Sequence, residues 1–320
     1  MRRLVVLFWL GLTVAMQATP QQSQTLKVLT AGPTGVVEQV TDVNEIRVIF
    51  SEPMVPLGFF KSRVFSTSII VAVLVGFGLY GSLFVVTLYM QNIRGYSAID
   101  AGIRTLPLTM AVMFVAPLAG KLNARLGSAR LMGSGMAIAC VAMLGLSFLQ
   151  FDSPYSHIWP FYLLLGAGIA LTMPAMSAAA MGAIDPRKAG VGSGVLNAAR
   201  QVGGALGIAV LGSVAATITT NAWQQKTQGM GGVIVAKADL LTQLVEGAQA
   251  VAVNALAGPK AMQLAMESWM QGFHASVLAG AFLMATAVVV VIVGFRGVAK
   301  PQSAPVMDSS DTPPPVAVEL

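Results

Sequence analysis

Charge is what this chain has least of. Only 10% of its 320 residues are Asp, Glu, Lys or Arg, against about 25% in soluble domains. One cysteine, Cys140, sits inside an apolar stretch, which excludes an intrachain disulfide and reads as a small packed side chain. The two histidines, His157 and His274, are far apart and have no Cys, His or Asp partner at zinc spacing, so no metal site and no cofactor is expected. No clustered His, Asp or Ser suggests a catalytic centre, and an enzyme is not expected. What is abundant is apolar: 55% of the residues are hydrophobic and the mean hydropathy is +0.74. An integral membrane protein is the class that accommodates this. The net charge of +6 lies largely in short loops between apolar runs, where it reads as membrane topology and not as nucleic-acid binding.

Six apolar spans follow a composition change near Phe59: about 66–90, 102–119, 131–150, 159–183, 191–216 and 273–295. Each is long enough for a transmembrane helix. Basic residues punctuate alternate loops: Lys61 and Arg63, then Lys121, Arg125 and Arg130, then Arg187 and Lys188, then Arg296 and Lys300. The positive-inside rule puts all four groups on the cytoplasmic side of a multi-pass protein. The polar interval 217–272 is expected to be a loop with an amphipathic helix at the membrane surface over Asp239–Leu256, and Pro259 is placed to start the last helix. No span so drawn contains Asp or Glu. The tail 301–320, rich in Pro, Ser and Asp, reads as disordered.

The first 58 residues differ in kind. Residues 1–18 resemble a signal peptide, with Arg2 and Arg3 before an apolar core and small residues at Ala15 and Ala18; the alternative is a first membrane helix or anchor. Thr25–Thr30, Gly35–Val40 and Glu45–Phe50 have strand-like composition with turn residues between them. About 35 residues of this kind cannot build a stable core alone. The words Ile46-Arg-Val-Ile-Phe-Ser-Glu-Pro-Met-Val-Pro-Leu-Gly58 resemble the first macroglobulin-like domain of bacterial alpha-2-macroglobulins, over residues 25–58. A signal peptide would export residues 19–57, whereas the charge pattern holds Lys61 inside. The expectation that reconciles them is a fusion, with residues 1–58 foreign to the remainder.

Three words in residues 59–300 carry a second resemblance: Gln91-Asn-Ile-Arg-Gly-Tyr-Ser-Ala-Ile-Asp-Ala-Gly102, Ala116-Pro-Leu-Ala-Gly-Lys-Leu-Asn-Ala-Arg-Leu-Gly127, and Gly190-Val-Gly-Ser-Gly-Val-Leu-Asn-Ala-Ala-Arg-Gln-Val-Gly-Gly-Ala-Leu-Gly207. This region resembles the C-terminal half of a major facilitator superfamily transporter of the fourteen-helix drug:proton antiporter (EmrB/QacA-like) type. The resemblance implies an all-α membrane fold, a six-helix half bundle carrying the short β-rich N-terminal fragment. It implies proton-coupled multidrug efflux of amphiphilic small molecules, the lipid bilayer as surroundings, and no nucleic acid. It also implies that the family's N-terminal half, with its proton-coupling acids, is missing, so that this truncated chain is inactive alone unless that half or a second copy of itself joins it. The rival class is a membrane-anchored macroglobulin-like binding or protease-inhibitor module.

Candidate site residues follow. Arg200 is a charge in a helix that crosses the membrane, about 15 Å in from Arg187 and Lys188 at 1.5 Å per residue. Such a charge costs at least about 2.5–3.5 kcal/mol at the bilayer centre. Asn197 shares its helix face and Gln201 lies four residues beyond Asn197. With Gln91, these are the substrate- or cavity-lining candidates; the alternative for Arg200 is a structural post bonding backbone carbonyls. Gly190 with Gly194, and Gly203 with Gly207, are small-xxx-small pairs expected to admit a neighbouring helix. Gly120 and Gly127 are expected to make a tight cytoplasmic loop, with Arg125 and Arg130 anchoring it and bonding helix-end carbonyls. The family word has an acid where this chain has Ala124, so the resemblance does not carry a charge-relay latch to this loop. Met110, Met113, Phe114, Met173, Met176 and Met181 could line a pliable apolar pocket or simply pack.

Overall fold

The computed structural model describes residues 57–297, apart from 232 and 248, and two strands before them, β1 (Val28–Gly32) and β2 (Arg47–Phe50). The strands pair antiparallel, Gly32 opposite Arg47 and Val28 opposite Phe50, with an irregularity between Val28 and Thr30. The signal-like residues 1–18, the strand expected at Gly35–Val40 and the tail 301–320 lie outside the described residues.

The remainder is helical. Helix α1 (Arg63–Leu88) starts at Ser62, whose hydroxyl accepts from the Phe65 N–H at 3.3 Å. It runs into a single π turn, Tyr89–Ile93, and Gly95 at φ +68° turns the chain into α2 (Ala98–Arg104). Helix α3 (Leu106–Leu126) has Pro107 in its first turn, where no N–H is needed. Gly127 at φ +84° separates it from α4 (Ser128–Leu146). Helices α5 (Trp159–Met181), α6 (Ala189–Thr227), α7 (Val233–Ala236), α8 (Ala238–Glu246) and α9 (Ala250–Gly294) follow. Gly258, at φ +83° before Pro259, breaks the path of α9. Among the described residues, six helical stretches are long and apolar enough to cross a membrane: Arg63–Ile93, Ala98–Leu126, Ser128–Leu146, Tyr155–Met181, Pro186–Thr227 and Ala250–Gly294.

The bundle is built on α1 against α6 and α9, with α4 against α5 and α9, and α3 resting on α5. The α1–α6 contact is parallel and glycine-lined. A Cβ on Gly203 would overlap the Val73 carbonyl, one on Gly207 the Phe77 carbonyl, and one on Gly76 the carbonyl of Arg200. Lipid tails are as apolar as leucine, so helices in a bilayer associate through such close backbone approach. Gly190 and Gly194 behave differently. Added Cβ atoms there meet nothing within 4 Å, which corrects the expected packing at that pair.

Packing also sorts the loops. Arg63 donates to the Val293 carbonyl at 3.2 Å, and Gly133 lies by Val291, so α1 and α4 begin where α9 ends. Because α1 and α6 are parallel, Lys61, Arg63, Lys121, Arg125, Arg130, Arg187, Lys188 and Arg296 all gather at that same end.

The interval 217–272 is not a loop. Helix α6 has 39 residues and α9 has 45. At 1.5 Å per residue each exceeds the roughly 30 Å hydrocarbon core, and both overshoot it. The overshoot forms a second core of Trp223, Leu241, Val245, Val253, Ala261 and Ala265. The apolar face of α8 is therefore turned onto Trp223 and α9 and not onto lipid, correcting the expected surface helix at Asp239–Leu256. Lys226 and Glu267 pair across the same cap at 2.8 Å, with Gln263 donating to Glu267 at 3.3 Å.

Gly203→Ala and Gly207→Ala should each destabilise the bundle by about 1–3 kcal/mol through overpacking. Gly194→Ala should be neutral or stabilising. Thermal unfolding of the purified chain in nanodiscs checks this; equal midpoints for all three would contradict the seam. Trp223→Ala should open the cap, at a cost of about 3–5 kcal/mol, and expose residues 228–249 to limited proteolysis while the transmembrane core stays resistant.

Candidate functional site

Arg200 sits near the middle of the bundle, since its carbonyl abuts Gly76, midway along α1. Its guanidinium Nη2 donates to Asn197 Oδ1 at 2.6 Å. Its Nε is buried and has no partner. Among the described residues it bonds no backbone carbonyl, so the structural-post alternative has no hydrogen bond to rest on. Asn197 and Gln201 are exposed beside it on the face of α6 turned away from the bundle, with Val202 and Leu206. From α1, the Tyr80 ring lies over Gly204 and the Phe84 ring near Gly212. Tyr80 and Phe84 are part-exposed, at 42% and 37%. Sequence reasoning missed these two aromatics, because nothing in the sequence of α1 shows which of its residues cross glycines on α6.

The structure thus brings Asn197, Arg200 and Gln201 together on one surface. It does not bring Gln91 there. Gln91 lies in the π turn, fifteen residues beyond Gly76, or about 22 Å along the helix. That corrects its grouping with the other three. Gly127 is needed for its positive φ, whereas Gly120 lies within α3 with nothing within 4 Å of an added Cβ, so the tight loop does not depend on it. Arg125 and Arg130 are exposed and make no side-chain hydrogen bond among the described residues, so the expected capping of helix-end carbonyls is absent there.

The end opposite the basic loops carries a clamp that the sequence did not announce. Arg104 stacks on Tyr96 at 3.9 Å and lies 5.7 Å from Tyr155, while pairing with Asp100 at 3.3 Å. The Tyr155 hydroxyl donates to the Arg104 carbonyl at 2.9 Å, and Arg94 donates to the Phe151 carbonyl at 3.1 Å. His274 Nε2 donates to the Leu149 carbonyl at 2.6 Å, and Asn92 reaches the cap at the Gly247 carbonyl, 3.3 Å away. Beneath them Tyr89, Trp269 and Phe273 stack with centroids 5.2–6.4 Å apart. The Asp100-to-Arg104 spacing of four was the available signal for this ion pair. Glu267 was missed because the last span was drawn too short. The carboxylates of the long helical stretches are thus Asp100 and Glu267 among the described residues, and both are held by cations.

Met110, Met113 and Phe114 are exposed on α3. Met110 and Phe114 line an open apolar groove of about 420 Å³ with Pro107, Val115, Trp159 and Leu163. Met176 is buried in the core.

A family model described as the Major Facilitator Superfamily matches residues 4–208. The Tetracenomycin C resistance and export protein of Streptomyces glaucescens is 35% identical over 167 residues, covering 52% of this chain and 31% of the relative. Multidrug resistance protein Stp of Mycobacterium tuberculosis is 36% identical over 168 residues, again 52% of this chain and 31% of the relative. The matches to these curated relatives therefore span about a third of their length. Among solved structures, a bacterial homologue of the human lysosomal transporter Spinster, inward-facing and unoccupied, matches with a TM-score of 0.59. It is 18% identical, covering 77% of this chain and 51% of that one, a likeness of fold alone.

Arg104→Lys should keep the pair with Asp100 and lose the flat stacking on Tyr96, worth about 0.5–1 kcal/mol at an exposed site. Faster amide exchange confined to residues 94–106 is the expected result; unchanged exchange there would deny the clamp its role.

Proposed function

We propose, from the premise that this chain belongs to the Major Facilitator Superfamily, that its six helices form one half of a drug exporter. The family and its named relatives are transporters and not enzymes, and the chain is a multi-pass membrane protein. The relatives' names, tetracenomycin C export and multidrug resistance among them, support amphiphilic small molecules as cargo. Carriers of this superfamily rock one six-helix half against another around a site near the bilayer midplane. The observation that carries the reading is the group Asn197, Arg200 and Gln201 on α6, level with the midpoint of α1 and on the face turned away from the bundle. A polar surface at that depth is costly unless it faces a cavity or a second bundle.

The finer reading has three parts. The exporter is of the fourteen-helix antiporter type, in the bacterial inner membrane with the basic loops in the cytoplasm. Transport is proton-driven, with the proton carried by an acid on the opposing half, because Asp100 and Glu267 are already paired with Arg104 and Lys226. The opposing half is either a separate N-terminal bundle or a second copy of this chain. A foreign origin for residues 1–58 is a separate proposal, resting on the composition change at Phe59; the family match, which begins at residue 4, does not support it. The genomic DNA upstream of the Phe59 codon tests it: an in-frame run encoding further helices would support the fusion.

Purified chain in nanodiscs should bind a neutral amphiphile, anthracene-9-carboxamide, saturably above empty nanodiscs. Sealed vesicles containing this chain alone should show no proton-gradient-driven export. Partition equal to that of empty nanodiscs would overturn the binding reading, and gradient-driven export would overturn the need for a second half.

A further inference from the structure

We infer that the α1–α6 face selects amphiphiles carrying an acidic group, with the anion on Arg200 and the apolar body along Tyr80 and Phe84. This rests on the transport-site reading above and adds the substrate's charge to it. Four observations converge. The guanidinium is held by one neutral acceptor, Asn197 Oδ1 at 2.6 Å, which fixes its orientation without cancelling its charge. Its Nη1 makes no hydrogen bond among the described residues and, unlike the buried Nε, is not closed off from a ligand. Among the described residues no carboxylate is paired with it. Asp100 is taken by Arg104, and Glu267 by Lys226 at the far end of α6, 26 residues on, about 39 Å along the helix. Gln201 is exposed next to it and offers an amide donor to the same ligand.

An oriented guanidinium in a low-dielectric site prefers a carboxylate or phenolate, which it can bind with charge-assisted hydrogen bonds. The apolar partner surface is set by the fold. Gly204 lies one turn beyond Arg200 and carries the Tyr80 ring, while Gly212 carries the Phe84 ring two turns further on. A ligand with its acid on Arg200 would lay a flat apolar body along those rings, toward the capped end of the bundle. Lipid headgroups do not reach this level, because Arg200 is opposite the midpoint of α1.

The test uses three fluorescent isosteres on the full chain in phosphatidylcholine nanodiscs at pH 7: anthracene-9-carboxylate, anthracene-9-carboxamide and 9-aminomethylanthracene. The carboxylate should bind about tenfold tighter than the carboxamide, the margin of a charged over a neutral hydrogen bond. The ammonium compound should bind most weakly. Arg200→Gln should remove the carboxylate's advantage and leave the carboxamide's affinity within about twofold. Arg200→Lys, which keeps the charge, should retain part of the advantage and controls for folding. A carboxylate bound no tighter than the carboxamide, or an advantage that survives Arg200→Gln, overturns the inference while carboxamide binding keeps the transport-site reading. Absence of saturable binding by all three overturns both.

Discussion

The close approach of α1 and α6 is the constraint on which the rest of this structure depends. Two long apolar helices in a bilayer gain nothing from hiding from lipid, so they hold together only where their backbones can nearly touch. Gly76 on one helix and Gly203 and Gly207 on the other leave that room. Because the contact runs in parallel, it also decides which ends of the helices coincide. The basic loops follow to one end, and the Arg104 clamp and the helical cap to the other. Helix α9 then closes against both, with Ser276 donating to the Leu211 carbonyl of α6 at 2.8 Å.

The same contact places the polar face. Arg200 presents its carbonyl to Gly76, which turns the seam side of α6 inward and leaves Asn197 and Gln201 on the outer side. A charge at that depth is costly on a lipid-facing surface. On the proposed reading, this surface is polar because a cavity or a second bundle faces it. The comparisons show the superfamily and, through the solved structure, a likeness of fold.

Much of this was legible in the residues, and the failures are instructive. The apolar runs, the alternating basic loops and the word around Arg200 are one-dimensional signals, and they led to a helical membrane bundle with Arg200 at mid-depth. The pairing of Asn197 with Arg200 followed from their spacing of three. Gly190 and Gly203 belong to identical small-xxx-small patterns, yet only the second pair meets a helix, since the pattern permits an approach and does not supply the approaching helix. Glu267 escaped notice because hydropathy draws a helix only as long as its apolar part. The polar extension of α9, held by Trp223 and its neighbours, has no apolar run to mark it.

Composition and periodicity alone determined that the chain crosses a membrane, which described segments are able to, and which loops carry the positive charge, because these depend on transfer from water to lipid residue by residue. Which glycines touch, which acid reaches Lys226 and which face of α6 is left open were decided only by the tertiary structure. Arg104, Lys226 and Arg200 are alike as cations in sequence. Spacing along one helix already supplies Asp100 to Arg104 and Asn197 to Arg200, whereas Glu267 reaches Lys226 from 41 residues away only because α9 packs on α6, and helix–helix contact is a property of pairs of surfaces and not of either helix by itself.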